Sequence, residues 1–215
     1  MADGDLDTSV RRVDPDRWLA SRFIADPAAR SDVIALLAYD HELARADVVA
    51  SNSLVAEIRL TWWREALDEV FDGGKVRRHP VAQALAGVVA RHGLDRAPLE
   101  AMIDARIDIL DRPSLDFDAA LRWADAAPGS AAALTARILD PAVTAEAAVP
   151  SGRAWGLRAL GHPFGEALGE ASRAARALSP AAFPAVAHAA LLRARSPSPL
   201  EARLRLIWAV ARGRI

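Results

Sequence analysis

Cysteine is absent from the 215 residues, which excludes disulfides, thiolate zinc sites, iron–sulfur ligation and a cysteine nucleophile together. Lysine is almost absent: Lys75 is the one exception among 27 basic residues, and with 49 alanines this is the composition associated with GC-rich bacterial coding. No apolar run approaches the roughly 18–20 residues that span a bilayer. The opening MADGDLDTSV is acidic and lacks the apolar centre of a signal peptide, so the expectation is a cytoplasmic chain. Aspartate is missing after Asp140, and strand-like alternation is missing throughout. Phosphate-loop and nucleophile-elbow signatures are missing as well: there is no G-x-G-x-x-G or G-x-S-x-G, and Gly73-Gly74-Lys75-Val76 has neither the spacing nor the hydroxyl of a nucleotide loop. His41-Glu42 starts like a zinc-protease motif, but Arg45 stands where the second histidine belongs.

What remains is 52% hydrophobic and 26% charged, the profile of a soluble globule large enough for a real core. Charge is unevenly placed: ten arginines and four glutamates follow Asp140, a net of +6, against −7 for residues 1–140. That asymmetry suits an anionic membrane surface or an acidic protein and is too mild for nucleic acid. Ala, Leu and Arg favour helix, and Gly and Pro fall between periodic segments. The pattern predicts an all-α chain with helices near 14–23, 28–49, 52–72, 79–92, 96–111, 116–127, 129–139, 151–160, 165–178, 181–195 and 199–213. Residues 1–13 read as a flexible lead, and 14–215 as one helical domain. Asp26-Pro27 and Ser198-Pro199 read as N-cap plus first helical residue.

Four helices carry candidate chemistry. In 28–49, Val33, Leu36, Leu37, Leu43 and Ala44 mark an inward face on which Asp40 and Asp47 also project. In 52–72, Leu54, Ile58, Trp62, Ala66 and Val70 form one stripe and Leu60, Trp63, Leu67 and Phe71 a second beside it. Trp62, Trp63 and Trp155 can line a pocket or fill a core, and Arg59 and Arg64 can meet a diphosphate or pair with a carboxylate such as Glu57. Asp-x-x-x-Asp places two carboxylates on one helical face, where hard oxygen ligands hold Mg²⁺. The spacing occurs at Asp68/Asp72 and Asp104/Asp108. His41, His79, His92, His162 and His188 are scattered and read as structural or surface residues.

The segment LLAYDHELARADVVASNSLVAEIRLTWWREALDEVF followed by RRHPVAQAL resembles the N-terminal signature of the squalene/phytoene synthase superfamily. DARIDILDRPSLDFDAALRWADAAPGSAAALTARIL resembles its middle helices, and GRAWGLRAL the start of its second Asp-bearing helix. The resemblance implies the isoprenoid synthase fold with a reduced C-terminal half. In an active member it would imply Mg²⁺ and a head-to-head condensation of prenyl diphosphates. On that reading Asp40, Asp47 and Arg64 are the catalytic candidates, and Tyr39, Arg59, Trp62 and Trp155 the substrate-binding ones.

The departures point elsewhere. The family register puts Ala44, Arg45 and Val48 at the first motif's acidic positions. After Ala154-Trp155-Gly156-Leu157 the chain reads Arg158-Ala-Leu-Gly-His-Pro163, where the family continues into its second Asp-rich motif. Without those ligands the leaving diphosphate loses its main electrostatic stabilisation, so no metal site or cofactor is expected. Trp62-Trp63-Arg64, His79-Pro80 and Ala154-Trp-Gly-Leu157 resemble most a non-catalytic subgroup of complex I assembly factors. The implied function is binding during assembly or maturation of a membrane respiratory complex, with a complex subunit or assembly intermediate as partner and an isoprenoid or anionic membrane surface as a further one. The last helix adds to this: Leu200, Leu204, Ile207, Trp208 and Ala211 form a stripe, and Arg203, Arg205, Arg212 and Arg214 fall mostly around the other face. Such a helix docks on its own domain or lies at the inner face of a membrane.

Overall fold

Asp26 opens the central helix as its sequence implies: its carboxylate accepts the N–H groups of Ala28 and Ala29, and Pro27 takes the first helical position. The computed structural model describes residues 2–48, 53–112, 114–194 and 197–215. The expected helix ends at 49, 52 and 195, residues 113 and 196 between expected helices, and the side chains of residues 2–4, Asp47 and Val48 lie outside the described residues. Among the described residues every regular element is helical: α1 (Ala2–Val13), α2 (Pro15–Ser21), α3 (Pro27–Val48), α4 (Ser53–Phe71), α5 (Pro80–His92), α6 (Arg96–Ile107), α7 (Phe117–Ala124), α8 (Ser130–Leu139), α9 (Val149–Ala159), α10 (Gly165–Ala174) and α11 (Pro199–Arg212). The protein is an all-α single domain, and no described helix is long and apolar enough to cross a membrane.

Helix α3 is the hub. Val33, Ile34, Leu36, Leu37, Tyr39 and Leu43 are buried in the largest core cluster with Leu60, Trp63 and Leu67 of α4, Leu85 and Val88 of α5, and Leu99, Met102 and Ile103 of α6. Two face assignments change. Ala44 is exposed, and in α4 the buried stripe is Ala56, Leu60, Trp63 and Leu67, while Leu54 and Ile58 face solvent. With two apolar stripes side by side on α4, the structure uses the side that meets α3 and α6.

Residues 2–13, read as a flexible lead, form α1, with Leu6 and Val10 buried in the α3 cluster one helical turn apart. Pro128-Gly129, read as a break, does not interrupt the helix: Asp125–Gly129 is a π-helical turn that joins α7 to α8. The wider turn leaves room for a proline that cannot donate to the ladder. Against this turn lies α9, so close that a Cβ on Gly152 would sit 2.1 Å from the Pro128 carbonyl oxygen. The stretch 181–195, read as an α-helix, holds over its described residues two 3₁₀ segments instead, Phe183–Ala185 and Ala187–Arg193. Pro184 removes a donor there, and every residue from Ala187 to Leu192 is buried, so the narrower coil fits small side chains into the centre of the C-terminal core. Helix α11 docks on that core, but through Ala202, Leu206 and Ala209, opposite to the stripe named above.

Candidate functional site

Tyr39 and Asp40, two of the candidate site residues, stand just past the middle of α3. Asp40 is 4% exposed. Its Oδ2 accepts from the Arg17 guanidinium of α2 at 2.7 Å, and its Oδ1 from Arg106 of α6 at 2.5 Å. Arg106 also donates to the Met102 carbonyl at 2.9 Å, and Arg17 pairs with Asp14, the N-cap of α2. Two carboxylates and two guanidinia balance, and both Asp40 oxygens are committed. Burial opposes charge on Asp40, but Arg17 and Arg106 outweigh it and hold the carboxyl below the usual carboxylate range. Arg17 is held charged in the same way, against its own burial, by Asp14 and Asp40.

The other carboxylates repeat the pattern at the surface. Asp104 of α6 pairs with Arg64 of α4, so Arg64 spans two helices rather than meeting Glu57. Asp68 and Asp72 both face Arg96, which also holds Glu100 at 2.7 Å. Asp108 and Asp104 line a shallow cleft of about 240 Å³ with Arg112, Arg122 and Trp123. Among the described residues, no three His, Asp or Glu side chains come together as a metal would require. Asp47 lies on α3 with its side chain outside the described residues. Among the described residues, the positions of the family's two motifs bring no carboxylate set together: Ala44 and Arg45 stand at the first, Asp40 beside it is taken up by arginine, and the counterpart of the second runs through Arg158.

The substrate-binding candidates divide between three places. Tyr39 has no exposed surface; its hydroxyl donates to the Leu99 carbonyl at 3.0 Å, its ring stands edge-on to Trp63, and burial pushes its ionisation up. Arg59 and Trp62 line an open groove of about 310 Å³ between α3 and α4 with Arg45, Trp63 and His79. His79 is the N-cap of α5 and stacks edge-on against Trp62 and Trp63, and burial lowers its basicity. Trp155 of α9 belongs to an interior space lined by Arg17, Leu37, Pro128, Gly152 and His188. That space amounts to about 20 Å³, room for about one water, where ligand pockets run to roughly 300 Å³ and more. His188 is 3% exposed beneath the edge of Trp155, its Nε2 has no hydrogen-bond partner among the described residues, and burial with the nearby Arg17 lowers its pKa to about 4.

Arg17 and Arg106, the partners of Asp40, were not singled out from the sequence. Arg106 left a signal: it continues the buried stripe Leu99, Met102 and Ile103 of α6, and a charge on an inward stripe requires a partner. Arg17, on a seven-residue helix, left none.

The family model for squalene/phytoene synthase matches residues 10–160. A protein of Dictyostelium discoideum named NADH dehydrogenase (ubiquinone) complex I, assembly factor 6 homolog is 26% identical over 87 residues, 40% of this chain and 24% of that protein. The Bos taurus protein named NADH dehydrogenase (ubiquinone) complex I, assembly factor 6 is 31% identical over 103 residues, 47% of this chain and 30% of that protein. The matched stretches span less than a third of the length of these curated relatives.

Proposed function

Because this chain belongs to the squalene/phytoene synthase family, we propose that it keeps the family's helical scaffold, has lost its metal chemistry, and acts by binding in the assembly or maturation of a membrane respiratory complex. The observation that carries this reading is the fate of Asp40, whose two oxygens are held by Arg17 and Arg106. A guanidinium pair there does permanently what a substrate-bound cation does transiently, namely neutralise the carboxylate, and it leaves no vacant ligand. The near-filled space beside Trp155 supports the same reading, since no prenyl chain fits it. The partner on this reading is a subunit or assembly intermediate of the complex, met from the cytoplasmic side at the inner face of the membrane; the names of the two relatives support the assembly role alone.

The test is thermal denaturation with a non-hydrolysable farnesyl or geranylgeranyl diphosphate analogue, with and without Mg²⁺. A ligand at 100 times Kd would add about 2.7 kcal/mol to native-state stability. The expected outcome is no Mg²⁺-dependent rise. A rise that needs Mg²⁺ would sink the proposal and revive a prenyl transferase working through Asp47 or Asp104/Asp108. In parallel, the tagged chain captured from detergent-solubilised cells should bring down respiratory-complex subunits.

A further inference from the structure

Helix α11 has two apolar faces rather than one. At about 100° per residue, Ala202, Leu206 and Ala209 centre on one side, and Leu200, Leu204, Ile207, Trp208 and Ala211 on the opposite side. The first set is buried in the C-terminal core. In the second, Leu200 is 66% exposed, Leu204 56%, Ile207 51% and Trp208 61%. The helix does not depend on an outer partner to keep its form: Ser198 caps its start by accepting the Glu201 N–H at 3.2 Å, and Gly213 ends it in the left-handed region at φ 59°.

Charge is confined to the seams between the two faces. Arg203 lies on one seam and Arg205 and Arg212 on the other, with Arg214 just past the helix end. The helix's lone acid, Glu201, is neutralised by Arg205 at 2.8 Å, and the Arg212 guanidinium lies 3.7 Å over the Trp208 ring. Arginines at the waterline of an exposed apolar stripe are placed to reach lipid phosphates while the stripe enters the acyl boundary. The +6 net charge after Asp140 adds to the same attraction.

We propose that the outer face of α11 seats this protein on an anionic lipid surface, with the helix parallel to the membrane, Leu200, Leu204, Ile207 and Trp208 buried in it, and Arg203, Arg212 and Arg214 at the phosphates. This names the element behind the peripheral location read above and rests on that reading only for its setting. Partner capture in detergent and vesicle binding of the pure protein are separate readouts, so either can fail alone.

The full-length chain is floated with vesicles of phosphatidylcholine alone or with about one third phosphatidylglycerol, at low and high salt. Binding should need the anionic lipid and weaken with salt. The double variants Leu204→Ser/Trp208→Ala and Arg203→Glu/Arg212→Glu should each lower partitioning at least about tenfold. Neither pair supports the core, so the Tm should stay within a few degrees of the parent. Three results would overturn the proposal: no binding to anionic vesicles at low salt, binding that both double variants retain, or a dimer in solution that the Leu204→Ser/Trp208→Ala variant dissolves while vesicle binding is absent.

Discussion

Asp40 carries charge in a place where charge is expensive, and its replacement tests what it is for. In Asp40→Asn the carboxamide cannot balance Arg106, which is buried, and Arg17, which is half-buried. Breaking a buried ion network of this kind costs about 3–5 kcal/mol, which urea denaturation would read directly. A vestigial metal ligand would instead leave stability nearly unchanged. His188 works in a different pH window. Its folded-state pKa of about 4 lies below the roughly 6.5 of an unfolded histidine, so as pH falls the unfolded chain takes up the proton first. Stability should therefore fall between about pH 6.5 and 4, by on the order of 3 kcal/mol in all, and be independent of this group above pH 7. His41 and His79 lean the same way through burial, so the readout is the part of the slope that His188→Phe abolishes. Asp40 does not interfere: its carboxyl is held low, and its contribution is lost only below the ordinary carboxylate range.

At the scale of helices, backbone proximity decides. A methyl group on Gly152 would meet the backbone of Pro128 and Gly129, which no rotamer change relieves. Gly152→Ala should cost at least about 3 kcal/mol by lifting α9 off the π turn. Gly169→Ala on α10 has only the far end of Arg173 nearby, at 3.7 Å, and should gain about 1 kcal/mol from helix propensity. Paired melting curves check both signs. The same scale shows what is legible in the sequence. Helix order is, because breakers and caps are local: Asp26 and Ser198 accept the expected N–H groups. The outward face of α11 is not, because periodicity finds apolar stripes without saying which one a neighbour covers. Ala202 and Ala209 won the inward place because the alanine-rich 3₁₀ coil comes close, and larger side chains would have held it away. The site was legible only in half: Asp40 and Arg64 stand out as charges on helix faces, but Arg17 and Asp104, which answer them, lie 23 and 40 residues away along the chain.

The molecule as a whole has three core clusters, and they share residues at their edges. Leu139 packs against the first and second, and Ile215 against the second and third. Unfolding should therefore be one transition by circular dichroism and by tryptophan fluorescence alike. Leu206→Ala in the second cluster should lower that common midpoint, at a cost of about 2–5 kcal/mol. Two separate transitions would show that the clusters are independent units.

The position of Ala20 sets an order of events in time. It belongs to α2 near the start of the chain, yet its cluster is made by Phe183, Ala187, Ala190, Leu206 and Ala209. On a ribosome, α2 emerges long before the residues that cover it, and α1 to α8 can condense around α3 while Ala20 and its neighbours stay wet. The second core closes only after residue 209 has left the exit tunnel. The second core is thus the last part of this domain to close, and until it does a chaperone has an apolar seam to hold.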